Sequence, residues 1–151
     1  MKYQYVPIYI MSAILVGSYY LGYTPIIVSL VFIFSSILTY AAYSKDKSAA
    51  INGDWRVSEK TLHLFSVLCG WPGAIIAQQK LRHKTKKTSF RFVFWLTLLL
   101  NMGLFSWLHT QQGSKFLHTY TYKFENVLIE VLGESTSTRN LLFITKFRSN
   151  I

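Results

Sequence analysis

The sequence predicts an all-α membrane protein with three to four transmembrane helices, a broken, re-entrant helical hairpin and a C-terminal amphipathic helix. Two long uncharged runs, residues 3–44 and 92–108, are too apolar for a soluble domain in a chain of 151 residues. The charge is also unevenly placed: the formal net charge is +10, and residues 60–124 contain nine Lys and Arg but no Asp or Glu. Basic residues beside apolar spans set topology and contact anionic lipid head groups.

The first apolar run predicts two helices joined by a short turn. Residues 5–21 form the first predicted span, which at about 17 residues is near the lower limit for crossing ~30 Å of hydrocarbon. Gly22–Pro25 reads as a turn, and Pro25 can start a second span over residues 26–43. The charged triplet at residues 45–47 is expected to end that helix, and Asn52-Gly53 signals a turn in the loop that follows.

Residues 58–91 form the central segment of the prediction. Ser58 is a candidate N-cap, and Glu59 then lies in the first turn of a helix. The apolar stretch that follows, residues 62–77, is expected to break at Gly70, Trp71, Pro72 and Gly73. If it crossed the bilayer, the six Lys and Arg of residues 80–91 would lie opposite the four of residues 45–60. The positive-inside rule therefore favours two short helices that return to the side they left; a kinked full span is the alternative.

The remainder of the chain predicts one more span and a surface helix. Residues 92–108 form the span, and Asn101 near its middle should face another helix because an amide is costly in lipid. Residues 115–132 show an apolar helical stripe, Gly133 would end it, and residues 134–140 read as a polar linker. The expected organisation is a transmembrane domain over residues 1–110 and an amphipathic helix with tail over residues 111–151.

Many dissimilar residues between positions 40 and 100 occur in an order that resembles a known family. They are Asp46-Lys47, Trp55-Arg56, Glu59, Leu62-His63, Gly70-Trp71-Pro72-Gly73-Ala74, Gln78, Arg82-His83-Lys84-Thr85, Lys87 and Ser89-Phe90-Arg91. This pattern resembles the small bacterial membrane proteins catalogued as domain of unknown function 1294. The resemblance covers about two fifths of the chain and implies a multi-pass protein of the bacterial inner membrane, with no established activity.

The resemblance also has limits. Some relatives carry a cold-shock domain that binds single-stranded nucleic acid, but the N-terminal residues here have the character of a span and lack basic-aromatic strands. Nucleic-acid binding is therefore not expected. Cys69 stands where the family usually has a second glycine, and Val57-Ser58 replaces its usual Ile-Pro.

The basic segment after the broken stretch is the strongest candidate for a binding site. It is expected to bind anionic lipid phosphate, with Thr85, Thr88 and Ser89 offering hydroxyl groups and Phe90 anchoring the segment. The alternative is a plain topogenic charge cluster. The proposed lipid- or anion-binding residues are Lys80, Arg82, His83, Lys84, Lys86, Lys87 and Arg91.

A second candidate is an interfacial polar cluster formed by Asp46, Lys47, Arg56, Glu59 and His63. Histidine beside carboxylates could make a metal or proton site. The spacing matches no metalloprotease or catalytic-triad pattern, and Cys69 is the single cysteine. Ion pairing that pins the loop is favoured, so no catalytic residue, metal or cofactor is expected.

The function expected from the sequence is non-enzymatic: a basic cytoplasmic segment that contacts anionic lipid or a partner, either a second copy or another membrane protein. The break at residues 70–73 suggests, as the alternative, an oligomeric transporter or channel component. A membrane-embedded enzyme is the third possibility.

Overall fold

A computed structural model describes residues 2–84 and 87–148, except for the side chain of Lys2, and all regular structure in these residues is helical. The elements are a 3₁₀ turn (Lys2–Tyr5), α1 (Val6–Tyr20), α2 (Ile26–Asn52), α3 (Glu59–Phe65), a π-type turn (Ser66–Gly70), α4 (Trp71–Leu81), α5 (Thr88–Leu108), α6 (Gln111–Leu132) and α7 (Thr136–Leu142). The chain divides into a first unit, residues 1–9 and 31–103, and a second unit, residues 10–30 and 104–151.

Three helical stretches are long and apolar enough to cross a membrane. They are α2 with 27 residues, the broken stretch Glu59–Leu81 with 23 and α5 with 21. This confirms the predicted all-helical class. The first predicted span is shorter than expected, because α1 has 15 residues and thus a length of about 22 Å.

The prediction that residues 45–47 end the second helix is wrong. α2 continues to Asn52, and Gly53 follows it with a left-handed φ of 77°. Two features explain the extension: Ala49 and Ala50 favour helix, and the buried Asp46 carboxylate is stabilised by the charges of Arg56 and Lys84. The whole helix is about 40 Å long.

The predicted broken helix is present, but the break lies slightly earlier than expected. Ser58 Oγ accepts a hydrogen bond from Thr61 N and caps α3, as predicted. The non-helical residues are Leu68, with ψ 44°, and Cys69, with φ 65°. Gly70 precedes α4 as its N-cap, and Pro72 lies in the first turn of α4, where its missing N–H costs least.

The broken helix folds back, so that its two ends lie together. An unbroken helix would separate residues 59 and 84 by roughly 37 Å. Instead, Lys84 Nζ lies 2.8 Å from Glu59 Oε1, and Lys87 Nζ lies 2.8 Å from Glu59 Oε2. We therefore describe α3, the π-type turn and α4 as a helical hairpin whose open end joins α5.

Close packing against α2 holds the closed end of this hairpin. A Cβ atom at Gly70 would overlap Thr39 Oγ1, and one at Gly73 would overlap the Ser36 carbonyl group. The two glycines therefore allow the hairpin to approach the α2 backbone more closely than any other residue would.

Asn101 also contacts the turn of the hairpin. Its Nδ2 donates to Ser66 O at 3.3 Å and to Val67 O at 3.1 Å, two carbonyl groups at the start of the π-type turn. The prediction that Asn101 faces another helix is confirmed. These bonds add a side-chain donor to backbone carbonyl groups of the irregular turn.

Replacing Cys69 with glycine is expected to stabilise the protein. Cys69 has a left-handed φ of 65°, which costs a residue with a Cβ atom about 1 kcal/mol relative to glycine. We expect Cys69→Gly to raise the free energy of unfolding by about that amount, measured by denaturant titration in detergent. Cys69→Val, with a branched Cβ, should lower it; equal stability of both variants would contradict this assignment.

The second unit contains the predicted amphipathic helix, α6. Thr110 caps α6, and Gly133 follows its end as expected. Residues 134–140 are not a linker, because Ser135 Oγ accepts from Thr138 N and starts α7. Two contacts hold the chain after α7. Ile27 N donates a backbone hydrogen bond of 2.9 Å to Ile144 O, and His118 stacks on Phe147.

Candidate functional site

The candidate site is the open end of the hairpin in the first unit, where a buried carboxylate gathers three basic side chains. Asp46 is 0 % exposed. Its Oδ1 accepts from Arg56 Nε at 3.1 Å, and its Oδ2 contacts His83 Nε2 at 2.7 Å and Lys84 Nζ at 3.7 Å. The hydrogen bond to Asp46, together with the charge of that carboxylate, raises the pKa of the Arg56 guanidinium, which therefore stays charged.

A second carboxylate extends this arrangement across the hairpin. Lys84 Nζ binds Glu59 as well as Asp46, and Lys87 binds the other oxygen of Glu59. Lys84 is only 12 % exposed, and these two carboxylates pair with its ammonium group. We call the six residues Asp46, Arg56, Glu59, His83, Lys84 and Lys87 the ion-pair network. It joins the end of α2, the start of α3 and the α4–α5 loop.

Aromatic packing supports the network from inside the unit. Phe90 is 1 % exposed and packs on His63 in a tilted arrangement, with ring centroids 4.3 Å apart. The Tyr43 ring is nearly perpendicular to the Phe90 ring, and their centroids are 6.2 Å apart. Lys84 Nζ lies 5.8 Å from the Phe90 centroid. Phe90 therefore fixes the basic segment to the protein core and is not available to a membrane surface.

The predicted lipid-binding residues divide into two groups. His83, Lys84 and Lys87 are held by carboxylates of the ion-pair network. Lys80, Arg82 and Arg91 form no ion pair with any residue that the structure describes. Arg82 follows α4 with a left-handed φ of 49°. Lys86 and Thr85 lie outside the described residues.

The predicted polar cluster is brought together only in part. Asp46, Arg56 and Glu59 belong to one network, which matches the ion-pairing interpretation. Lys47 lies half-buried on α2 and, among residues 2–84 and 87–148, has no ion-pair partner. His63 packs on Phe90 rather than on a carboxylate. Within the same residues, no group of three His, Cys, Asp or Glu side chains is placed to hold a metal ion.

A small cavity in the first unit was not predicted from the sequence. It has a volume of about 40 Å³ and is lined by the polar residues Gln4, Gln78, Gln79 and Arg91 and by the apolar or aromatic residues Ile75, Phe94 and Trp95. Gln78 is 7 % exposed, and its Nε2 has no hydrogen-bond partner among the described residues. The signal available in the sequence was the Gln78-Gln79 pair, an unusual choice in an apolar helix. We call this the Gln78 cavity.

The part of the chain that matches known proteins contains this site. Residues 36–90 match the model of a family described as "Protein of unknown function (DUF1294)". This part of the chain is therefore similar to the DUF1294 family. The DUF1294 segment contains all six residues of the ion-pair network and the whole hairpin; Arg91 of the Gln78 cavity follows it directly.

One curated relative matches over a stretch of the same length. The chain is 38% identical over 55 residues to the "Uncharacterized protein YsdA" of Bacillus subtilis (strain 168). The alignment covers 36% of this chain and 62% of that protein, so the chain spans less than two thirds of its relative. No solved structure matches the chain. The DUF1294 match therefore covers the hairpin region and names no activity.

Proposed function

We propose that this protein is a multi-pass protein of the bacterial inner membrane whose open hairpin end binds anionic lipid head groups without catalysing a reaction. The single observation that supports this proposal most strongly is the division of the basic segment. Its carboxylate partners hold one group of cations in place, and Lys80, Arg82 and Arg91 remain for an external anion.

Membrane insertion is supported by apolar side chains exposed on α2 and α5. On α2, Ile33 is 57%, Phe34 64% and Ile37 62% exposed. On α5, Phe92 is 65% and Leu99 62% exposed. Contiguous apolar surfaces of this kind are rare on soluble monomers, and lipid is the environment that fits two helices of spanning length.

The hairpin is proposed to enter the membrane and return. Its closed end packs near Ser36 and Thr39 of α2, and its open end lies near Asp46. Along α2 these levels differ by about 10 residues, or roughly 15 Å, which is half of the hydrocarbon thickness. The irregular backbone at Leu68 and Cys69 would then be covered by protein, as such backbone requires at depth.

The open end of the hairpin would lie at the cytoplasmic membrane surface. Residues 45–91 contain ten Lys and Arg against three Asp and Glu. Because both flanks of the hairpin meet in the ion-pair network, their charges act at one surface. Each such charge near an anionic leaflet contributes about 1 kcal/mol of attraction.

Lipid retention by the purified protein tests this function. We expect native mass spectrometry at moderate salt to show preferential retention of phosphatidylglycerol over phosphatidylcholine. Replacing Lys80, Arg82 and Arg91 together with glutamine should reduce that preference at least about tenfold, since three surface charges are removed. A matched triple variant in the second unit replaces Lys115, Lys123 and Arg139, which are also exposed.

The control variant distinguishes lipid binding at the hairpin from attraction by the overall positive charge of the protein. An equal loss of preference in both triple variants would contradict a binding face at the hairpin. Absence of any preference for phosphatidylglycerol in the unmodified protein would contradict the proposed function altogether.

A further inference from the structure

We propose that the Gln78 cavity is a phosphate subsite, which receives the phosphate oxygens of an anionic glycerophospholipid and seats its head group on Arg91. This inference rests on the proposed function and assigns it to one place. It differs from general surface attraction because it requires two particular donors, the Arg91 guanidinium and the Gln78 amide.

The donors of the cavity favour an anion. Gln78 is more than nine-tenths buried, and its Nε2 is unpaired within the described part of the chain. The nitrogen carries two hydrogens, so a contact with the nearby Tyr43 hydroxyl still leaves one for a ligand. The cavity lining includes Arg91 and no Asp or Glu. A guanidinium fork beside amide donors matches phosphate oxygens, which only accept hydrogen bonds.

The position of the cavity in the fold adds to this preference. Arg91 lies in the first turn of α5, a helix of 21 residues. The N-terminus of a helix carries a partial positive charge that stabilises anions. Arg91 forms no ion pair with the carboxylates of the network. No acidic group among the described residues therefore competes with a ligand for this guanidinium.

The size of the cavity limits what can enter. About 40 Å³ accommodates two or three waters, and thus one or two phosphate oxygens rather than a whole metabolite. The bulk of the ligand would therefore remain outside. Free phosphate and a lipid phosphodiester share the chemistry that these donors recognise.

The surroundings favour the lipid as the source of that phosphate. Trp95 lines the cavity and is 44% exposed, and an indole at this position fits the membrane interface. The exposed side chains of Phe92, Leu96 and Leu99 continue from it along α5 and offer a surface for an acyl chain. A soluble phosphate would make no use of this apolar surface.

Two substitutions that keep the net charge test the subsite. Gln78→Leu removes the buried donors, and Arg91→Lys keeps the charge but removes the guanidinium fork. We expect each to weaken phosphatidylglycerol binding about tenfold in detergent titrations followed by native mass spectrometry, as loss of a hydrogen bond to a charged group predicts. Gln112→Leu and Arg139→Lys, at exposed positions of the second unit, are the matched controls and should bind normally.

The outcomes separate this inference from the proposed function. Phosphatidylglycerol binding within twofold of the unmodified protein in both Gln78→Leu and Arg91→Lys would overturn the subsite while leaving the lipid-binding face intact. Competition by inorganic phosphate or glycerol phosphate at concentrations equal to those of the lipid would overturn the lipid as the ligand. Because Arg91 is exposed, Arg91→Lys should fold normally and keeps the test decisive if Gln78→Leu does not fold.

Discussion

Replacing Asp46 with asparagine is expected to lower the free energy of unfolding by about 3 kcal/mol, the largest effect of any single charge substitution in the network. Asp46 is fully buried, and its carboxylate contacts Arg56, His83 and Lys84. Removing one partner of a buried ion pair leaves uncompensated charge and costs about 3–5 kcal/mol. The lower end applies here because Arg56 is 48% exposed and keeps part of its hydration.

The measurement is a reversible unfolding titration of the purified variant in detergent. Asp54→Asn is the matched control: Asp54 is exposed in the adjoining loop and has no ion-pair partner among the described residues. Its substitution should change the unfolding free energy by less than about 0.5 kcal/mol. Similar stabilities for the two variants would show that Asp46 does not hold the end of α2 to the hairpin.

Replacing Gly73 with alanine is expected to destabilise the protein by about 3 kcal/mol. The new Cβ atom would overlap the Ser36 carbonyl oxygen and lie within 2.7 Å of Ser36 Cα. Both are backbone atoms of α2, so the clash can be relieved only by moving the helices apart. Overpacking of this kind costs about 1–3 kcal/mol or more.

Gly103→Ala provides the control for this prediction, because Gly103 lies in α5 of the same unit and a Cβ there meets no atom within 4 Å. That substitution should be neutral or stabilising, since alanine favours helix by about 1 kcal/mol over glycine. The same unfolding titration compares the two variants. If Gly73→Ala were as stable as Gly103→Ala, the hairpin would not pack closely on α2.

Much of the fold could be predicted because its signals are local. The apolar runs predicted the helices, and Ser58, Gly53 and Gly133 marked their ends by the chemistry of caps and turns. The return of the hairpin was favoured by charge distribution alone, since placing both basic flanks on one side obeys the positive-inside rule.

The errors arose where distant contacts decide a local structure. α2 runs past Lys45 because Asp46 is stabilised by side chains from another loop, and no local pattern shows this. The hairpin breaks at Cys69 rather than at residues 70–73, since the proline and glycines are accommodated in the start of α4. The short helix α7 was not predicted, because its cap residue Ser135 lies in a polar segment whose composition is typical of a linker.

The candidate site could be predicted in composition but not in pairing. The sequence placed acidic and basic residues in the right segments, yet which lysines are held by carboxylates depends on the folded hairpin. Lys84 bridges both carboxylates, whereas Arg91, seven positions later, lines a cavity instead. Gln78 was noted in the family pattern but was not predicted as a site residue, because a glutamine carries no charge signal and its burial appears only in the structure.

The central claim is that both flanks of the broken helix lie on one side of the membrane, and cysteine labelling tests it most directly. Cys69→Ser provides the background, and Asp54→Cys and Lys80→Cys introduce exposed thiols on the two flanks in separate variants. A membrane-impermeant maleimide is applied to intact cells and to inverted vesicles. We predict that both thiols react only in the inverted vesicles; reaction of the two thiols from opposite faces would contradict the hairpin.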